Sequence, residues 1–367
     1  MQIAVITYPG IEQYTAQEVE ELLKVKTAQQ KGSVLFSIRK PADVLSLCYK
    51  IQSGKHVMIV VAQGTFKEKE DIVQAANEKD LAPFIAKNTF AVRCERIGEH
   101  SFTSQEIERE IGKKIHGTVD LERPTVTILV ILINDRYFIG IDAAGFDLSK
   151  RQYRIFSHGA LKAPVGYALL RFAGYGAKQN MLDPFCADGL LAIEAAHHTS
   201  GFPLQHFVKE RLAKGDIPDA VAEKIFAAED KKGKKKIAGK IFCIDGSFAN
   251  LKAAEKNAKI AGINKLITFS RMELDWLDTK FDKGSIDCIV TMIPQPNKRV
   301  DEKQMAKLYT EFFYQAEHVL KKNGCIVTEL NSLLEDSAQK KGFAVEERMT
   351  VQQGGRVFVF GRMRRRK

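Results

Sequence analysis

Apolar residues in the first 150 positions alternate between the two-residue period of strands and the longer period of amphipathic helices. Short apolar runs such as IAVITY and SVLFSI are separated by the helical patterns TAQEVEELLKV and PADVLSLCYKI. Thr15 precedes Glu18 by three positions, which is the spacing of a capping box and predicts a helix start there. A second set of helices and strands follows from about Lys67. These patterns predict two small α+β units.

The rest of the chain alternates strand and helix patterns, which is typical of an α/β fold with a parallel, doubly wound sheet. The predicted strands are 180–186, 240–245, 266–272, 286–293 and 325–330. Apolar residues from Met305 to Val319 recur at helical spacing, and a final hairpin is predicted to turn at Gly354 and Gly355. Ligands of such a sheet bind beyond the carboxyl ends of its strands, so the chemistry is expected there.

Composition and charge narrow the class of protein. The chain has 367 residues, 45% of them hydrophobic and 28% charged, with 56 Lys and Arg against 45 Asp and Glu. This excludes disordered and fibrous proteins and favours a polyanionic partner, either nucleic acid or an acidic lipid surface. The most apolar run, TVTILVILI, is too short to span a membrane, and no signal peptide is evident, so we expect a cytoplasmic protein. Isolated cysteines and histidines show no zinc spacing, and no metal is expected.

Acidic and small residues follow three successive predicted strands. Asp183 begins a small-residue turn that ends at Gly189 before a helix, and Asp245 and Glu273 follow the next two strands. Such a turn lets a ligand approach the backbone and the helix N-terminus. A carboxylate after the second strand suits a ribose diol, and one after the third can accept from an exocyclic amine. Each acid alone is more typical of a solvated loop, but together they predict a cofactor that carries a nucleoside.

Residues 202–239 interrupt the alternation with a polar helical stretch that ends in the basic run KKGKKK. Blocks of like charge are commonly solvated and disordered. For this insert we therefore favour a solvated extension of the C-terminal part of the chain over a nucleic-acid contact.

Three segments resemble, in order and spacing, the THUMP-domain RNA methyltransferases: FAVRCERIGEHSFTSQEIEREIG, YFIGIDAAGFDLSKRQYR and LDPFCADGLLAIEAA. The resemblance covers nearly the whole chain. It implies a ferredoxin-like domain (1–64), a THUMP domain (65–147), a basic linker (148–163) and a Rossmann-like methyltransferase domain (164–367). It also implies S-adenosylmethionine as cofactor and a guanine N2 amine of tRNA or ribosomal RNA as methyl acceptor. The cofactor residues that it implies are Asp183, Phe185, Ala187, Asp188, Gly189, Asp245 and Glu273.

The same resemblance implies that the N-terminal domains bind structured RNA, with tRNA as the first choice, and we expect a monomer. The alternative for Arg93 and Arg96 is a capping or pairing role inside the THUMP core. Arginines that bind phosphate and arginines that stabilise a surface look alike in sequence. The candidates for phosphate contact are Arg93, Arg96, His100, Lys113, Lys150, Arg151 and Arg154.

This chain departs from the family at two places. Family members hold the target base with Asn- or Asp-Pro-Pro-aromatic after the fourth strand, whereas this chain has TMIPQPN at 291–297. The acceptors left for catalysis are the main-chain carbonyls of Ile293 and Pro294 and the side-chain amide of Gln295 or Asn297. In the cofactor turn, Ala187 replaces a glycine and Asp188 a small hydroxyl residue. Asp188 could pair with the ammonium group of the cofactor or repel its carboxylate.

Three functions follow from these features. The first is a methyltransferase that acts on a guanine amine in tRNA. The second is an RNA-binding relative with impaired catalysis, since the clustered departures resemble relaxed selection on the site. The third is a methyltransferase for ribosomal RNA. The basic charge supports the first two equally.

Overall fold

A computed structural model describes residues 1–86, 88–156, 161–233, 236–296 and 302–366. Its contacts divide the chain into two compact units. Unit 1 comprises Met1–Ser149 and Gln205–Lys231, and unit 2 comprises Lys150–Leu204 and Lys232–Lys367. Among the described residues, no helix is both long enough and apolar enough to cross a membrane.

Strands and helices alternate along both units. The strands are β1 (Gln2–Ile6), β2 (Ala28–Gln30), β3 (Ser33–Ser37), β4 (His56–Thr65), β5 (Thr89–Ile97), β6 (Thr118–Val119), β7 (Val126–Ile133), β8 (Arg136–Asp142), β9 (Met181–Asp183), β10 (Ile241–Asp245), β11 (Ile267–Arg271), β12 (Ile286–Val290), β13 (Leu320–Glu329), β14 (Phe343–Gln353) and β15 (Arg356–Arg365). The helices are α1 (Glu12–Leu23), α2 (Pro41–Lys50), α3 (Lys69–Ala75), α4 (Glu78–Ile85), α5 (Ser104–Lys114), α6 (Ala163–Phe172), α7 (Leu190–Ser200), α8 (Asp219–Asp230), α9 (Phe248–Ile260), α10 (Leu277–Lys280), α11 (Glu302–Val319) and α12 (Ser332–Lys340).

Unit 1 contains one eight-stranded sheet in the order β2-β3-β1-β4-β8-β7-β5-β6. The antiparallel pairing of β4 with β8 joins the strands of the predicted ferredoxin-like and THUMP segments. The apolar run in β7 is buried on both faces, because its residues alternate between two cores. Ile128, Val130 and Leu132 pack in one core. Leu129 and Ile131 pack in the other.

The insert after α7 packs in unit 1, although the sequence analysis favours a solvated extension of the methyltransferase domain. Phe226 on α8 is fully buried, and its ring centroid lies 4.6 Å from that of Tyr49 on α2. Lys50 pairs with Glu229 at 2.6 Å. Residues 205–231 therefore contribute core and ion pairs to unit 1, while Lys234 and Lys235 of the basic run lie outside the described residues.

A charged cluster lies in unit 1 where β4 begins. His56 Nε2 lies 3.2 Å from Glu95 Oε1, Lys55 also pairs with Glu95, and Asp142 lies on the other side of the imidazole ring. Burial favours the neutral ring, but Asp142 and Glu95 outweigh it and raise the pKa of His56 to about 9. With Asp147, His56 and Glu95 have the donor spacing of a metal site, which the sequence analysis does not anticipate. In this structure the imidazole is held by ion pairs with Glu95 and Asp142.

Unit 2 contains a seven-stranded sheet in the order β11-β10-β9-β12-β13-β15-β14. The five strands from β11 to β13 are parallel, and β15 runs antiparallel to both β13 and β14. Tyr309, Phe312 and Phe313 of α11 are buried against β9, β12 and β13. The predicted doubly wound sheet and closing hairpin are therefore confirmed.

Candidate active site

The chain reverses its winding direction at β9, because this strand has β10 on one side and β12 on the other. A switch in strand order leaves a crevice at the carboxyl ends of the strands. A cavity of about 200 Å³ lies there, between the turn after β9, the loop after β12 and the ends of β13 and β15. All the described residues that line it belong to unit 2.

The turn after β9 is held in a conformation that favours glycine. Gly189 caps α7 with φ 82°, and a Cβ there would lie 2.8 Å from Cβ of Ala254. Ala187 has φ 47°, a left-handed conformation that costs a non-glycine residue roughly 1 to 2 kcal/mol. Its N–H donates to Asp245 Oδ2 at 3.0 Å. This bond to the end of β10 holds the turn in place where the family has glycine.

Asp188 has partners within unit 2. Arg154 Nε donates to Asp188 Oδ2 at 2.7 Å, and both residues line the cavity. The N–H of Leu190 lies 3.3 Å from the other carboxylate oxygen. The negative charge in the turn is therefore balanced from within unit 2. Arg154 thus contacts the turn after β9 through Asp188, and its phosphate contact stays a prediction.

Asp183 is buried at the end of β9, with 1% of its surface exposed. Thr291 Oγ1 donates to its Oδ1 at 2.6 Å, and the N–H of Phe185 lies 3.3 Å from the same oxygen. Burial, together with the nearby charges of Asp245 and Asp188, raises the pKa of Asp183 to about 7. A buried acidic site of this kind suits a ligand with a cationic group, which would favour the carboxylate. The ammonium and sulfonium groups of S-adenosylmethionine fit this requirement.

The two other acidic strand ends lie on neighbouring strands. Asp245 also accepts from the N–H of Ser247 at 2.9 Å and from Asn250 Nδ2 at 3.1 Å, which fixes the carboxylate at the end of β10. Glu273 follows β11 and is exposed. A Cβ on Gly246 would lie 2.6 Å from Glu273 Oε2, so glycine leaves room for this carboxylate beside the end of β10.

The loop after β12 already uses the groups that the sequence analysis assigns to catalysis. Tyr309 OH donates to the main-chain oxygen of Pro294 at 2.8 Å. Gln295 Nε2 donates to the main-chain oxygen of Ile293 at 3.2 Å. Asn331 Nδ2 donates to Gln295 Oε1 at 2.7 Å. Each predicted acceptor that the structure describes, on Ile293, Pro294 and Gln295, therefore has a partner within the loop or on a neighbouring element.

Three candidates for phosphate contact are held inside unit 1. Arg93 donates to the main-chain oxygen of Leu121, and Arg96 donates to Phe102 O and, at 3.2 Å, to Ser104 Oγ. His100 Nε2 lies 2.7 Å from a main-chain oxygen in the β7–β8 turn. These contacts match the capping alternative for both arginines.

The other candidates differ sharply in exposure. Lys113 and Lys150 are exposed and stay predictions for phosphate contact. Arg151 is buried, and its guanidinium donates to Glu194 from Nε at 2.8 Å and from Nη2 at 3.1 Å. Tyr153 OH donates to the same carboxylate at 2.6 Å. This burial removes Arg151 from the candidates.

Sequence reasoning missed a second charged pair on the cavity wall. Arg356 Nη2 donates to Glu329 Oε1 at 2.7 Å, and its guanidinium lies 4.2 Å from the ring centroid of Phe358. All three residues line the cavity. Glu329 is the penultimate residue of the predicted strand 325–330, and this position at the carboxyl edge was the signal that could have identified it. Asn297, named with the loop, lies outside the described residues.

This strand order, small-residue turn and set of acidic strand ends define a Rossmann-like methyltransferase. Residues 151–358 match the family model described as RMKL-like, methyltransferase domain, and residues 66–142 match the THUMP domain model. The chain therefore belongs to the RMKL-like methyltransferase family. The predicted family resemblance, fold class and S-adenosylmethionine cofactor are confirmed at this level.

Relatives match nearly the full length of the chain. It is 27% identical to the tRNA (guanine(6)-N2)-methyltransferase of Archaeoglobus fulgidus, over 95% of this chain and 88% of that protein. It is 28% identical to a protein of the same name from Methanocaldococcus jannaschii, over 97% of each chain. The crystal structure of TrmN from Thermus thermophilus matches with a TM-score of 0.73 at 23% identity, covering 100% of this chain and 99% of that one. This likeness confirms the fold.

Proposed function

We propose that the protein transfers a methyl group from S-adenosylmethionine to the exocyclic N2 amine of a guanine in tRNA. The observation that carries the proposal is the match to two proteins named for this reaction, over 95% and 97% of this chain, beside its THUMP and methyltransferase domains. The substrate amine would enter the cavity at the carboxyl ends of β9, β12 and β13. Unit 1 would bind the RNA, with Lys113 as a contact to phosphate and the protein acting as a monomer.

The acidic strand ends would hold the cofactor. Asp245, fixed by three donors, would accept from the ribose hydroxyls, and Glu273 would accept from the adenine amine. Asp183 and the turn to Gly189 would surround the methionine portion, with Phe185 on the cavity wall. When bound, the cofactor supplies an electrophilic methyl group. The protein's task is to orient the amine, because the guanine N2 lone pair is delocalised into the ring.

The test is mass spectrometry of tRNA nucleosides after incubation with the protein and isotope-labelled cofactor. Labelled N2-methylguanosine is expected with the wild type, and its absence would overturn the proposal. Asp245→Ala should abolish both product and calorimetric cofactor binding. Asp336→Ala, which removes an exposed carboxylate from α12, should change neither. The same assay with ribosomal RNA fragments tests the alternative substrate, because a ribosomal RNA methyltransferase would methylate these fragments instead of tRNA.

One observation favours a second function, an RNA-binding protein without turnover. The predicted acceptors in the loop after β12 are already engaged by Tyr309, Asn331 and Gln295. In that case tRNA affinity would persist in Asp183→Ala and Asp245→Ala variants, and no methylated guanosine would form. Product formation by the wild type excludes it.

A further inference from the structure

The cavity wall that faces the cofactor turn brings Glu329 beside Met292. In the parallel pairing of β12 and β13, Val290 lies opposite Val327. Two further positions along both strands bring Met292 level with Glu329. The N–H of Thr291 donates to the main-chain oxygen of Val327 at 3.1 Å, which keeps this register beyond the end of β12. Residues at the same level of neighbouring strands project to the same face, and both of these line the cavity.

The hydrogen bonds already made leave one carboxylate oxygen on this wall. Met292 supplies a thioether, which is a weak acceptor. Gln295 uses both its amide oxygen and its amide nitrogen internally. Across the cavity, Asp188 is paired with Arg154, and Asp183, beside the cofactor turn, accepts from Thr291 and Phe185 through Oδ1. Among the described residues, Glu329 Oε2 makes no hydrogen bond, whereas Oε1 accepts from Arg356.

Arg356 fixes the direction of this carboxylate. Its guanidinium lies over the ring of Phe358, which is buried, and holds Glu329 Oε1 at 2.7 Å. The Glu329 side chain is 11% exposed and the Arg356 side chain 54%. The pair is therefore anchored at the cavity edge, with its charge partly solvated on the arginine side.

We propose that Glu329 Oε2 accepts a hydrogen bond from the target amine, in the volume where Met292 provides no strong acceptor. This inference rests on the proposed function, since it concerns the amine of that reaction. An N–H held by a carboxylate turns the nitrogen lone pair toward the open side of the cavity. Transfer would form the N2–C bond as the C–S bond of S-adenosylmethionine breaks, with S-adenosylhomocysteine as the leaving group. The proton that the amine then loses would go to the carboxylate that holds the N–H.

The test compares two nucleosides that differ only in the amine. Guanosine carries the exocyclic N2 amine, and inosine lacks it. Each is titrated into the full-length protein with S-adenosylhomocysteine present, and binding is followed by ligand-detected NMR. A hydrogen bond to a charged group predicts that the wild type prefers guanosine by about tenfold to a hundredfold. In Glu329→Ala this preference should disappear, while inosine affinity stays unchanged.

Two further variants keep the test decisive. Glu329→Gln retains an acceptor oxygen and nearly the same shape, so it should keep part of the preference and serves where the alanine variant does not fold. Glu335→Ala removes a carboxylate that is also paired with an arginine, Arg348, but lies on α12 outside the cavity, and it should keep the full preference. A wild type that binds both nucleosides equally, or an alanine variant that still prefers guanosine, would overturn the assignment.

Failure of this inference and failure of the proposed function give different results. If the wild type prefers guanosine but forms no methylguanosine, the role of Glu329 is supported and the proposed methyl transfer is refuted. If the wild type and Glu329→Ala form methylguanosine at the same rate, the methyl transfer is supported and the role of Glu329 is refuted. If both hold, Glu329→Ala should lower kcat by about a hundredfold with cofactor affinity unchanged.

Discussion

Arg151 is predicted from the sequence to contact phosphate, but the structure buries its side chain in an ion pair. Its guanidinium forms a two-pronged ion pair with Glu194 on α7, and the exposed fractions of the two side chains are 1% and 0%. Arg151→Leu keeps much of the side-chain volume and removes the positive charge that balances Glu194. The variant therefore tests the buried pair directly.

The expected loss of stability is large. Removing one partner of a buried ion pair typically costs about 3 to 5 kcal/mol. In a unit of roughly 200 residues each kcal/mol lowers Tm by about 2 to 4 °C, so Tm should fall by on the order of 10 °C. Burial alone would raise the pKa of Glu194, and Arg151 reverses that effect. Without Arg151 the pKa rises, Glu194 takes up a proton on folding, and the stability loss should be larger at pH 8 than at pH 5.

Thermal unfolding followed by circular dichroism at both pH values measures this loss. The matched control is Lys150→Leu, which removes the exposed cation next in sequence and should leave Tm unchanged. The double variant Arg151→Leu/Glu194→Leu should recover most of the stability, because it leaves no buried charge at that pair. An unchanged Tm in Arg151→Leu, together with a shallower salt dependence of tRNA binding, would refute the buried-pair reasoning and restore the phosphate contact.

Three further variants test other parts of the structure. Burial raises the pKa of Asp183 from 3.8 to about 7. The stability of the folded protein should therefore fall as pH rises from about 4 to 7. In thermal melts, Asp183→Asn should abolish that pH dependence. The pKa of His56 is raised from 6.5 to about 9. Its contribution to the free energy of unfolding is therefore complete below about pH 6.5 and is lost as pH rises through 9. Urea unfolding of His56→Gln should lack this pH-dependent loss. Phe226→Ala should destabilise unit 1 by about 3 to 5 kcal/mol in chemical denaturation, since the ring is fully buried against Tyr49; no loss would show that the insert is dispensable to the fold.

The spacing of apolar residues predicts most of the helices and strands, because each element must bury one face and its own sequence carries that pattern. The apolar run in β7 and the alternation from β9 to β13 follow directly from the spacing of apolar residues. The position of the site also follows, since parallel strands must end at a common edge. Asp183, Asp245 and Glu273 lie at that edge, as predicted, although their roles toward the cofactor stay predictions.

Long-range partners are what the spacing of residues does not show. Thr15 and Glu18 have capping-box spacing, yet α1 begins at Glu12, and the Glu18 carboxylate instead accepts from the N–H groups of Gln52 and Ser53. The same limit applies to Arg154. Its sequence neighbours are basic and suggest RNA, but its partner is Asp188, 34 positions away. The local sequence shows which polar groups need a hydrogen-bond partner, but the partner itself depends on which distant residues the fold brings close.

The departures from the family pattern are each offset by a neighbour in unit 2. Ala187 has a strained φ and is bonded to Asp245, and the charge of Asp188 is balanced by Arg154. Loss of function would remove selection for such partners, and a buried unbalanced carboxylate or a loosened turn would be the expected result. Beside Met292, the free oxygen of Glu329 completes the same pattern in the loop after β12. The cofactor turn thus keeps a bonded backbone and a balanced carboxylate, and catalysis by the loop at 291–296 stays a prediction that the methylation assay tests.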